Sequence, residues 1–216
     1  MAVAEEKKLP NSRVMAREAR RQELIDATID SIAKRGFSAT TLTTVTKGAG
    51  VSHGVVNFHF KSKEALYDAT LEYLTREHYE YWFKALEKAG DDPVMQLASM
   101  LEADFSPKTV SHKKLAVYFA FWGQAMYRPS YLDIHSGYDE ERSEQIERIA
   151  KELIMDANYD LDPEVTARRL VTMIDGLWLH MLLYPKAVKR QQARYDCFLF
   201  LSELFPKHFD KPVLSD

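Results

Sequence analysis

The chain has 216 residues, of which 46% are hydrophobic, 28% charged and 12% aromatic, and its formal net charge is −3. These values are typical of a globular protein and exclude a disordered or fibrous chain. Residues 1–10 lack the apolar stretch of a secretory signal, no apolar run approaches the ~20 residues of a membrane helix, and the single Cys197 excludes an internal disulfide or a zinc cluster. We therefore expect a cytoplasmic protein of one large or two small domains, without a membrane segment, metal site or cofactor.

The charge is unevenly distributed along the chain. Residues 1–63 hold 11 Lys and Arg against 6 Asp and Glu, whereas the remaining residues hold 18 against 26. A basic N-terminal third joined to an acidic remainder favours a polyanion-binding module attached to a second functional part.

The predicted elements are all helices, about nine in number, and no segment shows the alternation of a strand. Residues 1–12 are predicted to be a disordered tail. Apolar residues then recur with a helical period from about Met15 to Arg35, and Gly36 ends this first helix. A short second helix is predicted over Leu42–Ala49, behind the N-cap candidates Thr40 and Thr41.

Cap residues also delimit the helices that follow. Gly50 supplies a turn, Ser52 is positioned to cap a helix over His53–His59, and Ser62 is positioned to cap a long helix from about Lys63 to Ala89. Five further helices are predicted at about Pro93–Asp104, Lys108–Tyr127, Pro129–Asp156, Asp162–Leu183 and Ala187–Phe205.

The segment Leu42–Phe60 has the arrangement of a helix-turn-helix motif, in which two short helices pack on each other across a turn. Gly50 tolerates the positive φ that the turn requires. The second helix carries short polar groups near its N-terminus, which suit entry into the major groove of DNA. The residues concerned are Ser52, His53, Gly54 and Asn57, and Gly54 also allows the backbone to approach a phosphate closely.

A longer set of residues extends this motif on both sides. It comprises Gly36-Phe37, Thr40-Thr41, Ala49-Gly50-Val51-Ser52, Gly54, His59-Phe60, Ser62-Lys63-Glu64 and Leu66. In residue types and spacing it resembles the DNA-binding domain of TetR-family repressors. The further fragments Val51–Val56, Ala120–Ser130 and Ile174–Leu179 resemble BetI-type regulators of the choline–betaine genes, a branch of that family.

The resemblance implies an all-α protein with two functional parts. A three-helix, helix-turn-helix DNA-binding domain is expected over residues 13–62, and an effector-binding and dimerisation domain over residues 63–210, followed by a tail at 211–216. It further implies a homodimer formed through the helices at about 162–183 and 187–205. Such a homodimer binds a palindromic operator in double-stranded DNA and is released from it by a small-molecule effector.

The candidate DNA contacts follow from the motif and from the resemblance. Lys63 is expected to contact a phosphate, His53 is the best candidate for a base contact, and His59 is expected to face a phosphate or to pack. The full set is Arg20, Thr43, Thr44, Ser52, His53, Gly54, Val55, Asn57, Phe58, His59 and Lys63. Arg20 and its basic neighbours on the first helix either contact flanking DNA or form a solvated basic face.

Two positions depart from the pattern of the family that the chain resembles. Asn57 stands where many members have Tyr, and it reaches less far toward a phosphate. Thr46 stands where Ala is common, so its hydroxyl needs a partner.

Aromatic residues suggest the chemistry of the effector. All 3 tryptophans and all 11 tyrosines lie beyond the predicted DNA-binding domain. Aromatic faces hold quaternary ammonium groups such as that of choline, with about 0.5–2 kcal/mol for each contact. The candidate ligand-binding residues are Trp82, Tyr118, Trp122 and Trp178, with Asp175 to balance the charge. The alternative interpretation is that these aromatics only fill a helical core.

Enzymatic function finds no support among the motifs. The chain contains no H-E-x-x-H, G-x-S-x-G, Walker A or G-x-G-x-x-G sequence, and the carboxylates of residues 139–147 are expected to form a solvated face, so no catalytic residue is predicted. The alternative function is that of a helical small-molecule-binding protein or degenerate enzyme without a DNA role.

Overall fold

The computed structural model describes residues 12–213, and within that range the chain forms nine α-helices and no strand, which confirms the predicted all-α class. The helices are α1 Ser12–Arg35, α2 Leu42–Ala49, α3 His53–His59, α4 Lys63–Lys88, α5 Pro93–Asp104, α6 His112–Ala125, α7 Pro129–Ala157, α8 Pro163–Leu183 and α9 Arg190–Leu204. None of these helices is both long and apolar enough to cross a bilayer.

The chain divides into two compact units, the first ending at Thr70 and the second beginning at Leu71. This division falls within α4, later than the predicted boundary at residue 62. The predicted N-terminal tail lies outside the described residues except for Ser12, which is the first residue of α1. Residues 211–213 follow α9 outside any helix, and the rest of the predicted C-terminal tail lies outside the described residues.

Caps and a glycine turn organise the first unit. The Thr44 N–H donates to the Thr41 hydroxyl at 3.2 Å, and the Thr41 N–H donates to the Thr44 hydroxyl at 2.9 Å, so that each residue satisfies a backbone donor at the start of α2. Gly50 ends α2 with φ of 65°, a left-handed conformation that side chains with a Cβ rarely adopt. Of the two N-cap candidates, Thr41 caps α2, whereas Thr40 hydrogen-bonds to Gly36, and the predicted turn at Gly50 is confirmed.

Hydroxyl groups hold the first two helices in register. The Ser31 hydroxyl lies 3.1 Å from the Thr40 hydroxyl and 3.0 Å from that of Thr44, and Thr40 in turn donates to the Gly36 carbonyl at 2.9 Å. The Tyr67 hydroxyl donates to the Thr40 carbonyl at 2.9 Å, which ties the start of α4 to the same network. Buried apolar side chains, Leu24, Ile25, Ile29, Ile32, Val45, Val56, Phe60 and Leu66, fill the space beneath it.

The second unit has an apolar core to which all five helices from α5 to α9 contribute. Its buried members include Trp82, Leu97, Leu101, Phe105, Ile149, Leu153, Leu170, Ile174, Ala193, Leu201 and Phe205. Asp92 and Asp162 cap α5 and α8 by accepting from Val94 N–H at 2.9 Å and Val165 N–H at 2.8 Å. Cys197 is fully buried on α9, and burial raises the pKa of its thiol, so it behaves as a small apolar residue.

Three details of the helix predictions are wrong. The Ser52 side chain makes no capping hydrogen bond to α3, although its backbone is extended at the N-cap position. The predicted start of a helix at Lys108 is wrong because Thr109 and Val110 N–H groups turn back to Ser106, and Ser111 caps α6 instead. Likewise the predicted start at Ala187 is a turn, and α9 begins at Arg190.

Candidate functional site

The short helix α3 has one buried and one exposed face. Val56 is buried, as is Phe60 at the C-cap. His53, Gly54, Asn57 and Phe58 are exposed and lie at the positions that the helical period places together on the other side. The predicted contact Val55 is half-buried. The arrangement leaves a helix surface of two polar side chains, a glycine and one aromatic ring.

A larger residue in place of Gly54 would not disturb the packing of the first unit. A Cβ added at this position meets only the Ser52 hydroxyl, at 3.7 Å, which is an ordinary van der Waals contact. Its φ does not lie in the left-handed region, and a helical glycine costs about 0.5–1 kcal/mol relative to alanine. The fold therefore supplies no reason for glycine here, whereas close approach of another molecule does.

The two threonines predicted to contact DNA at the start of α2 differ in how far their hydroxyls are free to bind another molecule. Thr43 is exposed, and its hydroxyl lies 3.5 Å from His53 Nε2. Thr44 is committed to the N-cap through Thr41, so its side chain has an internal function as well as the predicted external one. The Thr46 hydroxyl donates to the Thr43 carbonyl at 3.1 Å, which supplies the partner that the sequence required.

Basic side chains surround the end of α3 and the start of α4. The Arg17 guanidinium lies 5.7 Å from the centre of the Phe58 ring, and the Lys63 ammonium lies 5.0 Å from the centre of the Tyr67 ring. Burial together with the charge of Arg17 lowers the pKa of the half-buried His59, which favours its neutral imidazole. Arg20 forms an exposed pair with Glu23, one turn along α1.

The second unit contains a buried ion pair that crosses between α5 and α7. Arg142 Nη2 lies 2.7 Å from Asp104 Oδ2, and His78 Nε2 lies 3.0 Å from Asp104 Oδ1. The side chains of Asp104 and Arg142 are only 1% and 9% exposed. Burial opposes ionisation of Asp104, but the charge of Arg142 and the hydrogen bond from His78 hold the pKa of the carboxyl below its usual value.

Of the predicted ligand-binding aromatics, Trp178 contacts the ion pair directly and Tyr118 lies against Trp178. Trp178 donates its indole N–H to the Asp104 carbonyl at 3.1 Å. Its ring centre is 6.0 Å from that of Tyr118 and 5.1 Å from that of His78. Tyr118 donates to the Leu74 carbonyl at 2.7 Å, and burial raises the pKa of its hydroxyl. The structure thus brings Tyr118, Trp178 and His78 together around Asp104.

A second aromatic contact joins α6 to α7. The Trp122 ring centre is 5.5 Å from that of His135, whose pKa is lowered by burial. Neither ring nitrogen of His135 has a hydrogen-bond partner among the described residues, and the same is true of the Trp122 indole N–H and of Arg142 Nε. Buried donors without partners are rare in folded proteins and favour an acceptor supplied from outside the chain.

Asp175 is a further acidic group of this region. Burial raises its pKa to about 6, with the charges of Asp139 and Asp104 acting in the same direction and that of Arg142 opposing them. Since Arg142 already pairs with Asp104, the charge of Asp175 is incompletely balanced. A cation placed beside it would favour its ionised form.

Trp82 occupies a different place from the other predicted ligand-binding residues. It is fully buried in the core, and its ring stacks at 6.3 Å on Tyr79 rather than on Tyr118 or Trp178. Among the described residues its indole N–H has no partner. Other residues of α4 line a cavity of about 200 Å³, to which Trp82 does not contribute. Its walls are formed by Glu77, His78, Glu80, Tyr81, Lys84, Lys108, Thr109, Lys114 and Tyr118.

Four residues of the buried polar cluster were not predicted from the sequence: His78, Asp104, His135 and Arg142. A signal existed for Asp104, because it falls at the helical spacing of the buried Leu97 and Leu101. For Arg142 the corresponding signal is its spacing from the buried Ile146 and Ile149, which the surrounding carboxylates obscured.

Family models match both units. The model for bacterial regulatory proteins of the tetR family matches residues 24–70, and the model for the C-terminal part of BetI-type transcriptional repressors matches residues 93–206. A curated HTH-type transcriptional regulator BetI from Stenotrophomonas maltophilia is 31% identical over 178 residues, which cover 81% of this chain and 87% of that protein. Another from Paraburkholderia phymatum is 33% identical over 172 residues, covering 77% and 83%.

Solved structures show the same fold. A transcriptional regulator from Pseudomonas aeruginosa PAO1 superposes with a TM-score of 0.77 at 25% identity, covering 89% of this chain and 95% of that one. A regulator from Saccharomonospora viridis, solved in complex with choline, has a TM-score of 0.75 at 18% identity, covering 86% and 96%. The chain is therefore a transcriptional regulator and not an enzyme, and it belongs to the TetR family, within its BetI-type branch.

Proposed function

We propose that this regulator acts in the cytoplasm as a homodimeric repressor that holds a palindromic operator until a small cation binds its second unit. The observation that carries the DNA-binding part is the exposed surface of α3, which presents His53, Gly54 and Asn57 while Val56 packs inward. Short polar side chains without bulk suit direct contact with base edges in the major groove. The basic residues beside this surface supply attraction to phosphates.

Apolar exposure on α8 supports dimerisation through the last two helices. Leu179 and Leu183 are exposed on α8, followed by the exposed Tyr184. On α9, Phe198 and Phe200 are only partly buried. A two-fold partner that packs against these side chains would remove them from water, and a symmetric pair of DNA-binding units matches a palindrome.

For the effector we propose a quaternary ammonium compound such as choline. Tyr118, Trp178 and Trp122 supply aromatic faces, and Asp175 supplies a carboxylate whose charge lacks a full partner. The unpartnered N–H groups of Trp122 and Arg142 suit a hydroxyl oxygen on the same ligand. The choline found with the S. viridis regulator, which shares this fold, agrees with that chemistry.

Regulation then follows from linkage between two conformations. The effector must bind more tightly to the conformation that does not hold the operator than to the one that does. By reciprocity, operator DNA must lower the affinity for the effector by the same factor.

The first test concerns the DNA contact at Lys63. Lys63→Ala is expected to weaken binding to operator and non-operator duplexes alike, because a phosphate contact carries no sequence information. If each protomer of a dimer loses one contact, the slope of log affinity against log salt falls in magnitude by about 1.8. Fluorescence anisotropy on a duplex selected from a random library, from 50 to 300 mM salt, measures both quantities.

Lys151→Ala is the matched control, since Lys151 is an exposed lysine of α7 in the second unit. It is expected to leave affinity and slope unchanged. A duplex that carries only one half-site is expected to bind far more weakly than the palindrome if the binding species is a dimer. Failure of the wild-type protein to bind any duplex would instead support a small-molecule-binding protein without a DNA role.

The second test uses the pKa of Asp175, which is raised to about 6 by burial. A cation binds the ionised carboxylate, so choline affinity is expected to fall about tenfold between pH 7.5 and pH 5, as protons compete for Asp175. Isothermal titration calorimetry with choline chloride measures the change. The uncharged analogue 3,3-dimethylbutanol, which has carbon in place of the ammonium nitrogen, is expected to bind weakly and without this pH dependence.

Asp175→Asn separates the contribution of Asp175 from those of the neighbouring ionisable side chains His78, His135 and Asp139. The variant is expected to bind choline more weakly at pH 7.5 and to lose the decline toward pH 5. Retention of the full decline in this variant would assign the pH dependence to the histidines. Absence of choline binding at every pH would refute the cation proposal itself.

A further inference from the structure

Phe58 is an apolar ring exposed among polar side chains, one residue before the end of α3. It is 70% exposed, whereas the other aromatic residue of this segment, Phe60, is buried. Exposure of a phenyl ring to water is unfavourable by roughly 25 cal/mol for each Å² of apolar surface. A phenyl ring that the fold leaves exposed has either no function or a function in contact with another molecule.

The internal contacts of Phe58 do not explain its presence. Its ring meets the edge of the adjacent His59 ring, with centres 5.1 Å apart, and the Arg17 guanidinium lies 5.7 Å from its centre. Both contacts are made at the surface, and Arg17 is itself exposed. These groups restrict the direction of the ring without burying it.

The position of Phe58 on α3 places it beside Gly54, one helical turn earlier. Because Gly54 has no side chain, the surface on that side of the ring is open. Asn57 and Phe58 are consecutive and both exposed, so the outer face of α3 carries a polar and an apolar group at neighbouring positions around the helix. This pairing suits a surface that offers hydrogen-bonding groups and an apolar group side by side.

We propose that Phe58 determines operator preference by packing its ring against the C5-methyl group of a thymine in each half-site. This inference rests on the proposed DNA-binding function and adds the base that one residue selects. Thymine presents a methyl group in the major groove, and the other three bases present only hydrogen-bonding groups and ring edges there. A phenyl ring can form no hydrogen bond with those groups, and it would bury them unsatisfied.

The test removes the methyl group without changing base pairing. In a duplex selected from a random library by the wild-type protein, each thymine is replaced singly by deoxyuridine, which lacks only the C5-methyl group. Each half-site is expected to contain one thymine at which this single replacement weakens binding of the wild-type protein about fourfold. That loss is the equivalent of one buried methyl group. Phe58→Ala is expected to bind the original duplex more weakly and to respond to deoxyuridine at that thymine by less than a factor of 1.5.

Several controls keep the outcome decisive. Asn57→Ala alters the neighbouring side chain and is expected to retain the fourfold response at that thymine. Phe58→Leu keeps an apolar contact and is expected to retain part of it, and circular dichroism confirms that each variant is folded. Equal deoxyuridine responses in the wild-type protein and Phe58→Ala, or no response at any thymine, would overturn the inference while leaving DNA binding intact. Absence of binding to every duplex would refute the proposed function as well.

Discussion

Replacement of Arg142 by methionine is expected to lower the free energy of unfolding by about 3–5 kcal/mol, which is the usual cost of leaving a buried charge without its partner. Asp104 is fully buried, and the substitution removes the guanidinium that lies 2.7 Å from its carboxylate. His78 remains at 3.0 Å, but its imidazole must be protonated to supply a positive charge. Urea denaturation followed by circular dichroism at 222 nm, at pH 7.5, measures the difference.

An exposed ion pair provides the matched comparison. Arg168 lies 3.0 Å from Glu164 on α8, and both side chains are well exposed, so Arg168→Ala is expected to change stability by less than about 1 kcal/mol. The double variant Asp104→Leu with Arg142→Met removes both charges and is expected to regain most of the lost stability. If Arg142→Met costs as little as Arg168→Ala, the ion pair does not carry the structural role assigned to it.

Substitution of alanine for Gly54 is expected to change stability and operator affinity in opposite directions. The added methyl group meets only an ordinary contact with Ser52, and alanine is favoured over glycine in a helix, so the protein should gain about 0.5–1 kcal/mol. The same methyl group would occupy the surface of α3 that is proposed to face the operator. A misfit of ~1–3 kcal/mol in each half-site would weaken binding by more than about tenfold.

Gly48→Ala supplies the control for the change in backbone preference. Gly48 lies within α2 at an ordinary φ, and a Cβ added there meets Ala27 Cβ at 3.6 Å, which is a normal contact. Stability is expected to rise as for Gly54, with little change in operator affinity. Thermal unfolding and fluorescence anisotropy on one duplex measure the two quantities. Equal losses of affinity in both variants would show that Gly54 has no special part in the approach to DNA.

The first unit could be predicted closely because the sequence signals that determine its helices and turns act over short distances along the chain. A threonine before an apolar period, a glycine after it and the next short helix lie within twenty residues, and each feature acts on its immediate neighbours. Thr41 and Gly50 accordingly have the predicted caps. The failure at Ser52 is also local: an N-cap side chain needs a particular rotamer, and residue type alone does not determine it.

The effector region could be predicted only in outline because its contacts join distant parts of the chain. Tyr118 and Trp178 were found from residue type, and they do come together. Asp104 and Arg142, 38 residues apart, were missed because composition cannot show which charged residues of a helix turn inward to meet. The helical spacing of Asp104 from buried leucines, and of Arg142 from buried isoleucines, indicates an inward position for each. A single charged residue is seldom buried without a partner, and the sequence does not show which residue that partner is.

The hydroxyl network of Ser31, Thr40 and Thr44 has a consequence for how such regulators diversify. The buried Ser31 and Thr40 and the half-buried Thr44 hold the first two helices together. His53, Asn57 and Phe58 project outward and contribute little to that framework. If the projecting residues contact the operator as proposed, folding and promoter choice depend on largely separate sets of residues. A lineage can acquire new target genes through substitutions at the projecting positions, while the scaffold beneath them stays under selection to remain as it is.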